Sequence, residues 1–190
     1  ALPISTIPMK QTGIISFDTP IARIIAVLLG SLIIAALAQI SIPVPFGPVP
    51  ITGQTIGVIL VGGLLGSKRG AFAVMAYLAE GASGLPVFAE FKAGAHVLVG
   101  PTAGYLWAFI PAAFLTGYFA EKGFTLKPIP SFLTCFSSTT FILFSGTAFL
   151  TLFNFGFNEA LVIGFYPFLV GDIVKSIVCA AMLTGVRKVS

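Results

Sequence analysis

Apolar runs long enough to cross a lipid bilayer recur along this chain, and they limit the fold more than any motif does. A bilayer core of about 30 Å takes about 20 helical residues to cross. Inside it every backbone N–H and C=O must be satisfied within the protein, so runs of this length form helices. Hydrophobic residues make up 57% of the sequence and charged residues 8%, against roughly 25% charged in soluble domains. The chain is therefore read as an all-α integral membrane protein. Its 190 residues hold about six helices of about 20 residues with short connections, so one membrane domain over 1–190 is expected.

The expected layout is a tail over 1–19, a six-helix bundle over 20–186 and a short end over 187–190. The tail has no apolar core run and does not resemble a secretory signal, so it is expected to be retained. The first span runs from about Pro20 to Ile42, with Asp18 or Thr19 able to cap it and Pro20 suited to its first position. A proline-rich, uncharged loop from Pro43 to Gly53 follows; it cannot be helical, and its apolar character predicts packing over the bundle or a cavity. The second span, Gln54 to Gly66, carries four glycines, which favour close helix contact. The third covers Gly70 to about Leu85, and a connection from Val87 to Pro101 holds Glu90, Lys92 and His96. The fourth, fifth and sixth run about Thr102 to Ala120, Ser131 to Phe153 and Leu161 to Val186.

Charge sets the expected orientation. With both termini cytoplasmic, Lys10, Arg23, Lys68, Arg69, Lys122, Lys127, Arg187 and Lys188 fall inside and only Lys92 outside. That is a strong positive-inside bias over short loops, and an odd number of spans would spoil it. Basic residues stand singly or in pairs, without the clustered patch of a nucleic-acid binder, so no nucleic-acid partner is expected.

Asp172 and Lys175 are the only charges between Leu161 and Val186, and a spacing of three puts them on one helix face. With a helix starting near Leu161 they lie about 16 Å and 20 Å below its start. Intramembrane charge is expensive and usually functional. One reading is an ion pair that neutralises itself and holds two helices in register; the other is a binding site with an acceptor and a donor for a polar ligand.

Other chemistry is scarce. His96 is the single histidine and lies in a loop, outside any HExxH or Cys–His pattern, and there is no phosphate-binding glycine loop. Cys135 and Cys179 read as reduced structural thiols rather than a disulfide or zinc site. Asp172 is taken as the one acid within a span, which counts against an ion-driven carrier. The first helix carries Ala22, Ala26 and Gly30 at four-residue spacing, a stripe that serves either packing inside the bundle or docking of another membrane protein.

Five segments in order carry a family resemblance: Gln39-Ile40-Ser41-Ile42-Pro43 leading into Pro48-Val49-Pro50-Ile51-Thr52; Gly53-Gln54-Thr55; Gly84-Leu85-Pro86-Val87-Phe88; Gly100-Pro101-Thr102-Ala103-Gly104-Tyr105; and Gly171-Asp172-Ile173-Val174-Lys175. With them the chain resembles the BioY family, the biotin-specific substrate-binding (S) components of energy-coupling factor (ECF) transporters. It departs from the family pattern at Ala103 and at Glu90-Phe91-Lys92-Ala93, where glycines are usual.

The resemblance implies a six-helix bundle in the bacterial cytoplasmic membrane that binds biotin from outside, with the proline-rich loop as its gate. It implies no catalysis, no cofactor and no metal, biotin being cargo. As partners it implies a T component, docked on the stripe of Ala22, Ala26 and Gly30, and cytoplasmic ATPase subunits acting through it. Asp172 and Lys175 match ligand-contacting positions, and Gln54, Lys92 and Tyr105 fall in pocket-lining segments. A carboxylate and an ammonium suit the N–H donors and carbonyl of a ureido ring. The valerate carboxylate then falls to Lys92, the only outer basic residue, or else to Lys175. An S component for another vitamin, an autonomous ion-coupled carrier and a ligand-free membrane scaffold are the competing readings.

Overall fold

The structure, a computed structural model, describes residues 19–45 and 47–189, the last few as helical backbone only. The readings made for the N-terminal tail, Lys10 among them, lie outside the described residues.

Seven α-helices stand among those residues. The first, α1 (Pro20–Ala38), starts as expected: the Thr19 hydroxyl accepts the Ala22 N–H at 3.2 Å, with proline in the first turn. It stops at Ala38 instead of Ile42 because Ser41–Ile42 (β1) leaves to pair with Ile51–Thr52 (β2). This two-residue antiparallel ribbon, Ser41 opposite Thr52, closes the proline-rich loop at its base. Next come α2 (Gln54–Leu65) and α3 (Ser67–Ala82), joined through Gly66 at φ 85°.

The 12 residues of α2 reach about 18 Å, well short of a bilayer core. Almost all of them are buried, because other helices surround α2. Its glycines make that possible. A Cβ at Gly62 would sit 2.5 Å from the Ala113 carbonyl oxygen, and one at Gly63 would strike Leu183. Those neighbours lie on α4 (Ala103–Glu121) and α7 (Tyr166–Val189), and between them in sequence run α5 (Pro128–Leu150) and α6 (Phe157–Gly164). Among the described residues four segments are long and apolar enough to cross a membrane: α1, α4, Pro128–Phe153 and Tyr166–Val186.

The expected single last span is broken at Phe165 (φ −122°, ψ −64°) into α6 and α7. Proline explains the break: in a continuous helix Pro167 could not donate to the Ile163 carbonyl and its ring would clash there. Gly164 ends one helix and Pro167 sits in the first turn of the next. Asp172 and Lys175 therefore lie only about 9 Å and 14 Å below the start of α7.

Two further expectations change. Asp172 is not the only acid turned into the bundle, because α3, expected from the sequence as the third span, carries Glu80, whose Oε1 accepts the Ser31 hydroxyl of α1 at 2.8 Å while Oε2 is buried without a partner. The small-residue stripe of α1 faces inward. Ala26 is 5% exposed, Ala22 is half-buried, and a Cβ at Gly30 would meet Ala73 at 2.9 Å and Val61 at 3.0 Å. Of the two uses open to the stripe, packing inside the bundle is the one seen at Gly30, which meets α2 and α3, and at buried Ala26. Ile24, Leu28 and Leu32 make the outward face of α1 instead.

At one end of the bundle Glu121, the last residue of α4, caps α3: its carboxylate accepts the Ser67 N–H at 2.7 Å and the Ser67 hydroxyl at 3.0 Å. Gly117 lets that turn approach, since a Cβ there would lie 2.3 Å from the Ser67 nitrogen. The opposite end carries the ribbon and the 87–101 connection.

Candidate functional site

The five residues singled out from the sequence, Gln54, Lys92, Tyr105, Asp172 and Lys175, line one cavity. It has about 720 Å³ of empty volume, part of it open to the surface. The proline-rich loop contributes Val49, Pro50 and Thr52, and the second connection contributes Phe88, Ala89, Lys92 and Val97. Below them stand Leu106 and Phe109 of α4, Ile142 and Leu143 of α5, and Phe168 of α7. The proline-rich loop thus packs over a cavity, as its composition predicted.

Asp172 and Lys175 project together from α7, as the three-residue spacing requires. No salt bridge within 4.0 Å joins them, so the self-neutralising pair is not formed. Asp172 is 2% exposed, and its Oδ2 is buried without a hydrogen-bond partner. Buried polar groups are nearly always paired, and an unanswered carboxylate oxygen is an expensive exception. Asp172 lines the cavity wall, and this oxygen is left uncommitted by the protein's own groups.

Gln54 sits in the first turn of α2 at 6% exposure, and its side-chain amide is already engaged. Nε2 donates to the Tyr77 hydroxyl, and Oε1 accepts the Thr52 hydroxyl at 3.1 Å. Gln54 thereby ties the ribbon to α3 while its side chain walls the cavity. Tyr77 in turn meets the edge of Phe88, ring centroids 5.5 Å apart and planes at 89°. Gly81 makes room for that ring, since a Cβ there would lie 2.2 Å from it.

Tyr105 presents its ring to the cavity and turns its hydroxyl into the wall, donating to the Gly164 carbonyl at 2.8 Å beside the Thr147 hydroxyl at 3.3 Å. Gly146 leaves the space for that ring. Lys92 stands at the rim, its side chain 53% exposed, with Nζ 2.7 Å from Glu90 Oε2. His96 lies exposed on a short turn, Ala95–Leu98, and does not line the cavity. Cys135 and Cys179 are free and buried in a separate apolar cluster with Ile59 and Leu183.

Several lining residues were not picked out from the sequence. Phe168 stands four residues before Asp172 and seven before Lys175, so helical spacing alone could have added it to their face. Thr52, Thr55 and Phe88 lay inside motifs already quoted. Phe109, Ile142 and Leu143 carry no signal beyond being apolar. Together the lining is largely apolar, with the Asp172 carboxylate and the ammonium groups of Lys175 and Lys92 among its polar groups.

The family model described as "BioY family" matches residues 9–190. The biotin transporter BioY of Thermotoga maritima is 40% identical over 148 residues, covering 77% of this chain and 86% of that protein. A probable biotin transporter BioY of Pyrococcus horikoshii is 40% identical over 151 residues, covering 78% and 87%. Among solved structures, the S-component for biotin from an ECF-type ABC transporter superposes with a TM-score of 0.82 at 29% identity, covering 90% of this chain and 95% of that one.

Proposed function

The chain belongs to the BioY family, and from that membership we propose that it captures biotin as the substrate-specificity subunit of an energy-driven vitamin uptake transporter. It is a multi-pass membrane protein and a transport component, not an enzyme. The observation that carries the biotin reading is the unanswered Oδ2 of Asp172 in the cavity wall, three residues from Lys175. Asp172 accepts ureido N–H groups, and Lys175 donates to the ureido carbonyl. Charge-assisted bonds of this kind are strong in a site shielded from water. Phe88, Phe109 and Phe168 hold the bicycle, and Lys92 at the rim takes the valerate carboxylate, releasing Glu90 to solvent. Biotin is cargo here, and no cofactor takes part.

Six membrane crossings are the proposed topology: α1 to α5 and α7, with the short α2 enclosed by other helices and the eight-residue α6 not counted as a crossing. Arg23, Lys68, Arg69, Lys122 and Lys127 then lie at the cytoplasmic end with Glu121, and the cavity opens outward. A T component and cytoplasmic ATPases are the partners that such an S component implies; Ala26 and Gly30 are already used within the bundle.

Small molecules released from the purified chain, identified by mass spectrometry, test the proposal. Biotin in near-equal amount with protein is expected. Release of a different vitamin, with no competition by added biotin, would overturn it.

A further inference from the structure

Gln39 is the C-cap residue of α1, two positions before the ribbon starts at Ser41, and its side chain reaches away from α1 to the second connection. Its Nε2 donates to the carbonyls of Phe88 at 3.2 Å, Val87 at 3.4 Å and Ala35 at 3.1 Å. Its Oε1 accepts the Phe91 N–H at 3.1 Å. One amide thus holds both sides of a tight loop that is itself closed by Phe88 N–H to the Lys92 carbonyl at 3.1 Å.

That loop needs holding. Glu90 (φ 60°) and Phe91 (φ 56°) both sit in the left-handed region, each without the freedom of glycine. Such residues persist where surrounding contacts over-determine the backbone. This loop sends Phe88, Ala89 and Lys92 to the cavity, Phe88 and Lys92 being its large side chains there.

We propose that Gln39 is a positioning residue of the ligand site: its amide clamps the strained loop at Val87–Phe91 and so sets Phe88 in the wall and Lys92 at the rim. It touches no ligand itself. The effect on the carboxylate end rests on the reading of Lys92 given above; the effect on the loop does not.

Two measurements test this. Hydrogen exchange on the purified wild-type chain should show the Phe91 amide protected, and Gln39→Ala should raise its exchange roughly tenfold or more, as expected when a bond worth about 1.5 kcal/mol is lost. Gln39→Glu keeps the acceptor for Phe91 and loses the donors, so it should fall between the two and serve if the alanine variant folds poorly. Fast Phe91 exchange in the wild type, or no change in either variant, would overturn the clamp. Affinities for biotin and for neutral biotin amide form the second measurement. Gln39→Ala should weaken biotin by roughly 10- to 100-fold and the amide less. In a Lys92→Ala background it should no longer alter the acid-to-amide ratio. Equal losses for both ligands would overturn the positioning of Lys92. Should Lys92→Ala itself leave the ratio unchanged, the carboxylate reading fails, and the exchange data still decide the role of Gln39.

Discussion

The hydroxyl of Tyr105 donates to the Gly164 carbonyl at 2.8 Å, joining a cavity wall on α4 to the last residue of α6. The break at Phe165 would otherwise leave this carbonyl at a helix end without an intrahelical partner. Ile163 of the same short helix packs against Gly47 in the proline-rich loop, so Tyr105 indirectly supports the cavity roof.

Tyr105→Phe keeps the ring and removes the donor. Stability in detergent should fall by about 1–3 kcal/mol, the cost of stranding a buried acceptor. Biotin affinity should change by less than tenfold, because the hydroxyl faces the wall and not the cavity. Thermal unfolding and equilibrium binding measured side by side check this; a loss of binding with unchanged stability would show that the hydroxyl serves the ligand directly.

Lys92→Ala should weaken biotin by about 10- to 150-fold, the equivalent of one charge-assisted bond, and barely affect biotin amide. Asp172→Asn should weaken both ligands alike, since both carry the ureido ring. Titration calorimetry with the two ligands separates the roles. Equal losses at Lys92 would move the carboxylate to Lys175.

Gly81→Ala should disturb the site without touching the ligand. The added Cβ would lie 2.2 Å from the Phe88 ring, so the ring must leave its edge contact with Tyr77. Overpacking of this kind costs about 1–3 kcal/mol. Lower stability together with lower biotin affinity is expected, and Phe88→Leu in the same background should restore part of the stability. Wild-type behaviour of Gly81→Ala would mean that the ring is not held there.

Orientation is checked by labelling. Cysteine at exposed Pro48 should react with an impermeant reagent applied outside cells, and cysteine at exposed Lys127 should not. Cys135 and Cys179 are both fully buried, so background reaction is low. The reverse pattern would invert the topology.

The sequence was informative where one residue type has one physical use. Asp172 and Lys175 stood out because charge in an apolar run is expensive. The α2 glycines spoke for close packing, and the prolines from Pro43 to Pro50 for a non-helical roof. It was less informative where the partner decides the meaning. Four-residue spacing grouped Ala22, Ala26 and Gly30 correctly on one face, but it could not say that α2 and α3 occupy that face. Glu80 was passed over within an apolar span, and only the fold brings Ser31 to it. The helix break was written in Gly164 and Pro167, yet the sequence is apolar on both sides of it from Leu161 to Val170 and hid it. Gln39 was part of a recognisable motif, but its work depends on a loop about fifty residues away in sequence.

The lone oxygen of Asp172 has a consequence for turnover. An empty cavity leaves that acceptor uncompensated, so a ligand that answers it stabilises the whole fold, by about 2.7 kcal/mol at a concentration 100 times its dissociation constant. The same free energy opposes departure, and tight complexes dissociate slowly. On the proposed reading, tighter capture of the ligand therefore comes with slower release. Any rearrangement by which α7 and the opposing walls cease to fit one ligand together would speed discharge.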